Sequence, residues 1–155
     1  MKKLILLSMM TMMIVACSAP VDEKPLPTKP LQPPALVRPG FVRMSPDSQY
    51  YADINSVWVD TKKKHMIHFD AVINLTRGPY LYQDKTQFAR SMRQAKIINC
   101  ETMRLTHLNT DYYSEFWGVG ERVSLPHQRK NTVNLRSGSS LNTLAQVLCT
   151  NLFKY

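Results

Sequence analysis

A regular alternation of apolar and more polar side chains in residues 66–75 is the clearest structural signal in the chain. Every second position is apolar: Ile67, Phe69, Ala71, Ile73 and Leu75. A period of two puts these side chains on a core and leaves the other face mixed, which predicts a β-strand. Shorter strands are predicted at residues 40–44, 54–60, 89–100, 103–108, 112–118 and 132–135. Turn-forming residues separate them at short distances, so neighbouring strands are expected to run antiparallel.

The end of the chain has a helical pattern instead. Apolar residues recur there at intervals of three and four: Leu141, Leu144, Ala145, Leu148 and Leu152. These positions share one side of a helix, and Ser139 or Ser140, after Gly138, supplies an N-cap hydroxyl. Because the apolar stripe needs a sheet face to cover, the predicted fold class is α+β, an antiparallel β-sheet with one C-terminal α-helix packed on it.

A proline-rich stretch, residues 17–39, precedes this part of the chain and holds seven of its ten prolines. Proline fixes φ and removes the amide donor. We therefore predict an extended tether that joins neither a sheet nor a helix. Residues 40–155 have the size of one small domain.

The first residues have the order of a bacterial secretory signal. Lys2 and Lys3 precede an apolar run, and the sequence Ile-Val-Ala leads to Cys17 as in a lipobox. The run is shorter than the ~20 apolar residues that a membrane span needs. We predict a signal peptide over residues 1–16 and an acyl lipid anchor on Cys17. Ser18 stands where an aspartate favours inner-membrane retention, so the outer membrane is the expected location.

Net charge narrows the class of partner. The chain has 20 basic residues, two of them in residues 1–17, so 18 remain against 11 acidic ones and the formal charge is +7. This excess raises the encounter rate with anionic partners. For an exported protein, nucleic acid is not expected. Anionic polysaccharide, acidic glycoproteins, lipopolysaccharide phosphates or a propionate-bearing tetrapyrrole are the candidates, and a merely solvated basic surface is the alternative.

Two cysteines remain once Cys17 carries lipid. Cys100 lies at a strand end and Cys149 borders the apolar stripe of the helix. Two thiols in an oxidising compartment most simply form a disulfide. Closing a loop of about 50 residues would stabilise the fold by about 4 kcal/mol. A redox role would call for a C-x-x-C spacing, which is absent.

Four strings, with the two cysteines, carry a resemblance to a known family: NSVWVD at 55–60, HFDAV at 68–72, FARSMRQ at 88–94 and TDYYSEFWG at 110–118. The chain resembles the surface-adhesin protein E family, the outer-membrane lipoprotein adhesin of Gram-negative respiratory bacteria. The resemblance implies a sheet of about six strands, a C-terminal helix locked by the disulfide, a tendency to form homodimers, and a non-enzymatic role as a virulence-associated adhesin.

The resemblance also implies ligands. Family members bind host extracellular-matrix and plasma proteins, notably vitronectin, laminin and plasminogen, and haem binding is attributed to the family. The adhesive segment maps onto residues 84–108, where the candidate ligand-binding residues are Lys85, Phe88, Arg90, Arg93, Lys96 and Arg104. Thr86 and Gln87 replace an adjacent Lys-Arg pair of the family. The alternative is that these are solvated strand charges that discourage aggregation. In either case, removing Arg90 and Arg93 should change stability by at most about 1 kcal/mol.

Other candidate groups have both a functional and a structural interpretation. Lys62, Lys63, Lys64 and His65 are predicted to form a hairpin tip that either contacts heparin or lipopolysaccharide or is a solvated turn. His68 and Asp70 share one strand face, without the partners of a catalytic or metal site. A haem-binding lipoprotein using His65, His68 or His107 and an envelope lipoprotein with no host ligand are the rival functions. The aromatic residues are divided between core and a dimer interface.

Overall fold

The computed structural model describes residues 27–81, 86–124 and 129–153. The predictions for the signal peptide, Cys17, the start of the tether and Lys85 lie outside these residues. The described elements are β1 (Thr28–Pro30), β2 (Phe41–Arg43), β3 (Tyr50–Val59), β4 (Met66–Asn74), β5 (Arg77–Pro79), β6 (Ser91–Asn99), β7 (Arg104–Tyr113), a 3₁₀ turn (Phe116–Gly118), β8 (Arg122–Ser124), β9 (Asn131–Asn134) and α1 (Ser140–Leu152).

The main sheet confirms the predicted α+β class. Its strands pair antiparallel in the order β2-β3-β4-β6-β7-β8, and β9 also pairs with β7. Strand β7 runs unbroken over Arg104–Tyr113, where the sequence predicts one strand that ends at residue 108 and another over 112–118. The second part of that prediction is wrong, because the chain turns at Phe116–Gly118 to cover one end of the sheet.

The helix packs on one face of the sheet, which we call the covered face. Ser139 caps it, since its hydroxyl accepts the N–H of Asn142 at 3.2 Å. Ala145 of the helix is fully buried against core residues on the sheet side: Met44, Ala52, Phe69, Ala71, Ile98 and Leu105. The disulfide between Cys100 and Cys149 is present, and it joins the end of β6 to the last turns of α1.

The opposite face of the sheet, which we call the open face, carries the alternate residues of each strand. At one end it is closed by Trp117, whose ring centroid lies 5.1 Å from that of Phe41 and 4.7 Å from that of Tyr51. Trp117 adopts a φ of +70°. The backbone N–H of Trp117 donates to the buried Oδ1 of Asn74 at 2.9 Å. This tertiary contact stabilises the unfavourable backbone conformation.

The prediction that the proline-rich stretch joins no sheet is wrong for residues 28–30. Strand β1 pairs antiparallel with β5, and the N–H of Leu31 donates to the carbonyl of Thr76 at 2.9 Å. Proline is tolerated in such a two-stranded edge arrangement because one side of each strand needs no donor. Gly78 of β5 leaves no room for a side chain, since a Cβ there would lie 1.8 Å from the carbonyl oxygen of Ala89.

Candidate binding site

Two of the predicted ligand-binding residues come together at the start of β6. The guanidinium carbon of Arg90 lies 5.1 Å from the centroid of the Phe88 ring, and Nζ of Lys29 lies 4.6 Å from it. Both distances are within the range of cation–π attraction. Arg90 also donates to the carbonyl of Ser114 at 3.3 Å. We call Lys29, Phe88 and Arg90 the cation–aromatic cluster.

A polar cleft of about 240 Å³ lies beside this cluster. Its lining includes Phe88, Arg90, Glu115 and Glu121. Within the part of the chain that the structure describes, the buried Oε1 atom of Gln87 has no hydrogen-bond partner.

Arg93 has a structural environment that differs from the expected solvated one. It lies on the open face, where Nη1 is 2.8 Å from a carboxylate oxygen of Asp53 and 2.8 Å from one of Asp70. Burial acts to lower the pKa of Arg93, but the hydrogen bonds to Asp70 and Asp53 outweigh it and raise the pKa. Because its charge is compensated inside the fold, Arg93 is not the solvated strand charge that the alternative interpretation of this segment describes.

Lys96 lies on the covered face and is 7% exposed. Its Nζ atom is 3.4 Å from Nδ1 of His107, whose Nε2 atom is 3.1 Å from the hydroxyl of Thr110. Burial lowers the pKa of Lys96. Burial and the charge of Lys96 lower the pKa of His107. Lys96 is therefore placed to act on its neighbours inside the domain, not on a macromolecule outside it.

The predicted ligand-binding residues thus occupy separate regions. Phe88 and Arg90 are together, Arg93 and Lys96 face opposite sides of β6, and Arg104 is exposed at the start of β7. Lys29 belongs to the cluster but was missed in the sequence, because the tether was expected to stay apart from the fold. No signal in the sequence pairs Lys29 with Phe88.

Three histidines are described: His65 and His68 near the β3–β4 hairpin, and His107 on β7. Each contacts different residues. The ring of His68 stacks on Trp58 with centroids 3.7 Å apart, and Nε2 lies 3.6 Å from a carboxylate oxygen of Asp60. The backbone N–H groups of Lys63 and Lys62 lower the pKa of Asp60. His65 lies 3.7 Å from Glu101. Residues 27–81, 86–124 and 129–153 contain no group of three or more His, Cys, Asp or Glu placed to hold a metal ion.

An apolar groove of about 500 Å³ separates α1 from β2 and β3. Ile54 and Val147, which are 50% and 53% exposed, stand at its sides. Its lining also includes Ala52, Val57, Phe69 and Leu144. No helix among the described elements is long and apolar enough to cross a membrane.

The helix-backed antiparallel sheet, with exposed cationic and aromatic side chains, defines a small α+β domain. The sequence profile of the surface-adhesin protein E family matches residues 41–150, and the chain belongs to that family. Membership implies a non-enzymatic role and a location at the cell surface.

Two relatives and two solved structures show how far the similarity extends. The chain is 42% identical over 152 residues to surface-adhesin protein E of Haemophilus influenzae strain ATCC 51907, covering 98% of this chain and 95% of the relative. Identity to the protein of strain NTHi 3655 is 41% with the same coverage. A structure of H. influenzae protein E superposes with a TM-score of 0.75 at 42% identity, covering 83% of this chain and 97% of that one. The protein E structure from non-typeable H. influenzae gives 0.74 at 42% identity, covering 81% and 85%.

Proposed function

We propose that this chain is a lipid-anchored adhesin of the outer membrane that binds host extracellular-matrix or plasma proteins of the vitronectin, laminin and plasminogen type. Family membership supports adhesion at the cell surface. Without residues 1–17 the chain has a formal charge of +7. This positive charge favours association with acidic segments of a partner protein.

The observation that carries this proposal is the cation–aromatic cluster. Arg90 and Lys29 hold positive charge against the ring of Phe88, beside a polar cleft. An acidic or polar peptide segment would meet both cations and a ring that can pack against an apolar side chain. Arginine and aromatic side chains, such as Arg90 and Phe88, are also the types that contribute most to binding energy at interfaces.

The lipid anchor and the tether complete the proposed arrangement. An acylated Cys17 would hold the chain on the membrane. Residues 17–26 would lead from it to β1, which pairs with β5 beside the start of β6. The cation–aromatic cluster lies at this end of the sheet, so the tether would set its distance from the membrane.

We further propose a homodimer, as the resemblance to the family implies. The apolar groove between α1 and β3 supports this, because exposed contiguous apolar surface of this kind is commonly covered by a partner. Sedimentation of the purified protein over a range of concentrations tests it. A mass of one chain at every concentration would contradict the dimer.

The binding test uses residues 18–155, which contain every described element, on immobilised vitronectin, laminin and plasminogen at low and high salt. We expect saturable binding that weakens with salt and falls in Arg90→Ala and Phe88→Ala. Arg77→Ala is the matched control, because it removes an exposed positive charge of β5 without touching the cluster. Absence of binding to all three proteins would contradict the proposal.

Two further measurements separate the rival functions. Protease treatment of intact cells should digest the protein, whereas survival would favour an envelope lipoprotein that faces inward. Titration with haemin tests the haem alternative, since a Soret band that disappears when one of His65, His68 or His107 is replaced by alanine would favour it.

A further inference from the structure

The end of the sheet opposite the tether carries a second group of cations, which we call the distal basic surface. It consists of the β3–β4 hairpin tip, the β6–β7 loop and the segment after β9. Hydrogen bonds join these pieces: the N–H of Cys100 donates to the carbonyl of His65 at 2.8 Å, and the N–H of Leu135 donates to the carbonyl of Met103 at 3.3 Å. Its exposed cations are Lys62, Lys63, Lys64, Arg104 and Arg136.

Positive charge dominates this surface. Among the described residues, none of the five cations has a side-chain ion pair. The two carboxylates nearby have other contacts. Asp60 accepts the backbone N–H groups of Lys62 and Lys63 at 2.8 and 2.9 Å, and Glu101 lies beside His65. Five positive and two negative side chains leave a local formal charge of +3.

An exposed aromatic ring adjoins the cations. Trp58 is 53% exposed, and His68, directly opposite on β4, stacks on one face of the indole with ring planes 11° apart. The other face is left for a ligand. Trp58 lies on the open face beside His68, about two residues or 7 Å along β3 from the hairpin tip.

We propose that the distal basic surface and Trp58 bind a sulfated polysaccharide. A sulfated chain presents closely spaced anions, which match point-charge ammonium groups on successive residues of a turn. The C–H groups of a sugar ring are attracted to the electron-rich face of an indole. An unglycosylated acidic peptide or a lipid headgroup has no ring with such a C–H face for Trp58.

The position of the distal basic surface in the fold favours a polysaccharide in the surroundings, and not the lipid surface of the membrane, as its ligand. Strand β4 runs from Met66 beside the hairpin tip to Asn74 beside β5, a length of roughly 25–30 Å. The tether joins the fold at the β5 end. If the lipid anchor proposed above is correct, the distal basic surface points away from the membrane. The preference for a polysaccharide over a lipid surface on this ground depends on the anchor, whereas the charge of the surface and the stacking of Trp58 do not.

The test measures affinity of residues 18–155 for a heparin octasaccharide and for the same octasaccharide without sulfate. The variant Lys62→Gln with Lys63→Gln and Lys64→Gln should bind the sulfated probe at least about tenfold more weakly. The matched control, Arg38→Gln with Arg77→Gln and Arg129→Gln, removes the same charge from exposed positions elsewhere. The affinity of this control for the sulfated octasaccharide should fall by less than about threefold.

Tryptophan fluorescence supplies an independent readout. Trp117, the other tryptophan, is buried at 7% exposure, so we expect the octasaccharide to change the emission of Trp58 and the change to disappear in Trp58→Phe. If the two triple variants lost affinity for the sulfated octasaccharide equally, general charge attraction would explain the binding and the proposal would be overturned. Equal binding of the desulfated probe, or lysine-dependent binding only to vesicles of anionic lipid, would also overturn it. Because host-protein binding is tested through Arg90 and Phe88, failure of either proposal is distinguishable from failure of the other.

Discussion

Nη1 of Arg93 lies 2.8 Å from Oδ2 of Asp53, although Arg93 is on β6 and Asp53 is two strands away on β3. The same nitrogen contacts Asp70 on the intervening strand β4. Asp53 and Asp70 stand directly opposite each other in the sheet. Like charges at opposite positions repel, and the guanidinium, in contact with both carboxylates, offsets that repulsion. This contact ties three strands together on the open face.

Replacing Arg93 by Met should therefore destabilise the fold. We expect the free energy of unfolding to fall by about 2–3 kcal/mol, because two partly buried carboxylates lose their counter-charge. Urea unfolding at pH 7 measures it. Arg77→Met, at an exposed position, should change stability by less than about 0.5 kcal/mol. Adding Asp53→Asn and Asp70→Asn to the Arg93 variant should recover part of the loss, and a loss below about 1 kcal/mol in the single variant would show that the ion pairs contribute little.

The disulfide should contribute much of the stability of α1 on the sheet. Cys100 and Cys149 are separated by 49 residues, and a loop of this length corresponds to about 4 kcal/mol in the chain-entropy account. The double variant Cys100→Ser with Cys149→Ser should melt at a markedly lower temperature than the oxidised protein. The double variant should also be insensitive to reductant, unlike the parent. Mass spectrometry that found two free thiols in the parent protein would contradict the pairing.

Replacing Lys96 by Met should stabilise the protein by about 1 kcal/mol, because a buried ammonium without a carboxylate is exchanged for an apolar side chain of similar length. The folded-state pKa of Lys96 is lowered. The cost of burying its charge is thus present in full below that pKa and fades as pH rises towards the unfolded value of about 10.4. Unfolding curves at pH 7 and pH 10 should show a smaller gain at the higher pH, and an equal gain at both would contradict this origin.

His107 should titrate below the ordinary histidine pKa of about 6.5, because burial and the charge of Lys96 oppose its protonation. A lowered pKa means that the folded state binds the proton less well than the unfolded state does. The contribution of His107 to stability therefore falls as pH drops through the unfolded pKa. NMR titration of the imidazole should show its pKa rising in Lys96→Met. An unchanged pKa in that variant would leave burial as the whole cause.

The periodicity of apolar residues was sufficient to predict the fold class and most of the strands and the helix. The alternation around Phe69 and the three-and-four spacing around Ala145 predicted the central strand and the helix, and both are confirmed. The two cysteines predicted the disulfide, which is also confirmed. These signals succeed because each depends on residues near one another in the chain or on a simple count. The short strands β1, β5 and β8 carry too few residues for a period to appear.

The candidate site was predicted less well because its contacts depend on strand order and register. The register shift between Ala95 and Lys96 changes which residues of β7 lie beside Lys96, and places His107 there. Another shift between Asp53 and Trp58 brings Trp58 opposite His68. Irregularities of this kind insert a residue and reverse the side-chain alternation relative to the neighbouring strand. Alternation along a single strand does not show them.

The sequence by itself determined the sheet with its terminal helix, the disulfide and the basic balance of the chain, because local periodicity, two thiols and a charge count follow directly from the order of residues. The tertiary structure decided which charges are available. It buries Lys96, compensates Arg93 with Asp53 and brings Lys29 from the tether to Phe88. Solvation and pairing of a charge depend on atoms that come from distant parts of the chain, and only the folded sheet brings those atoms together.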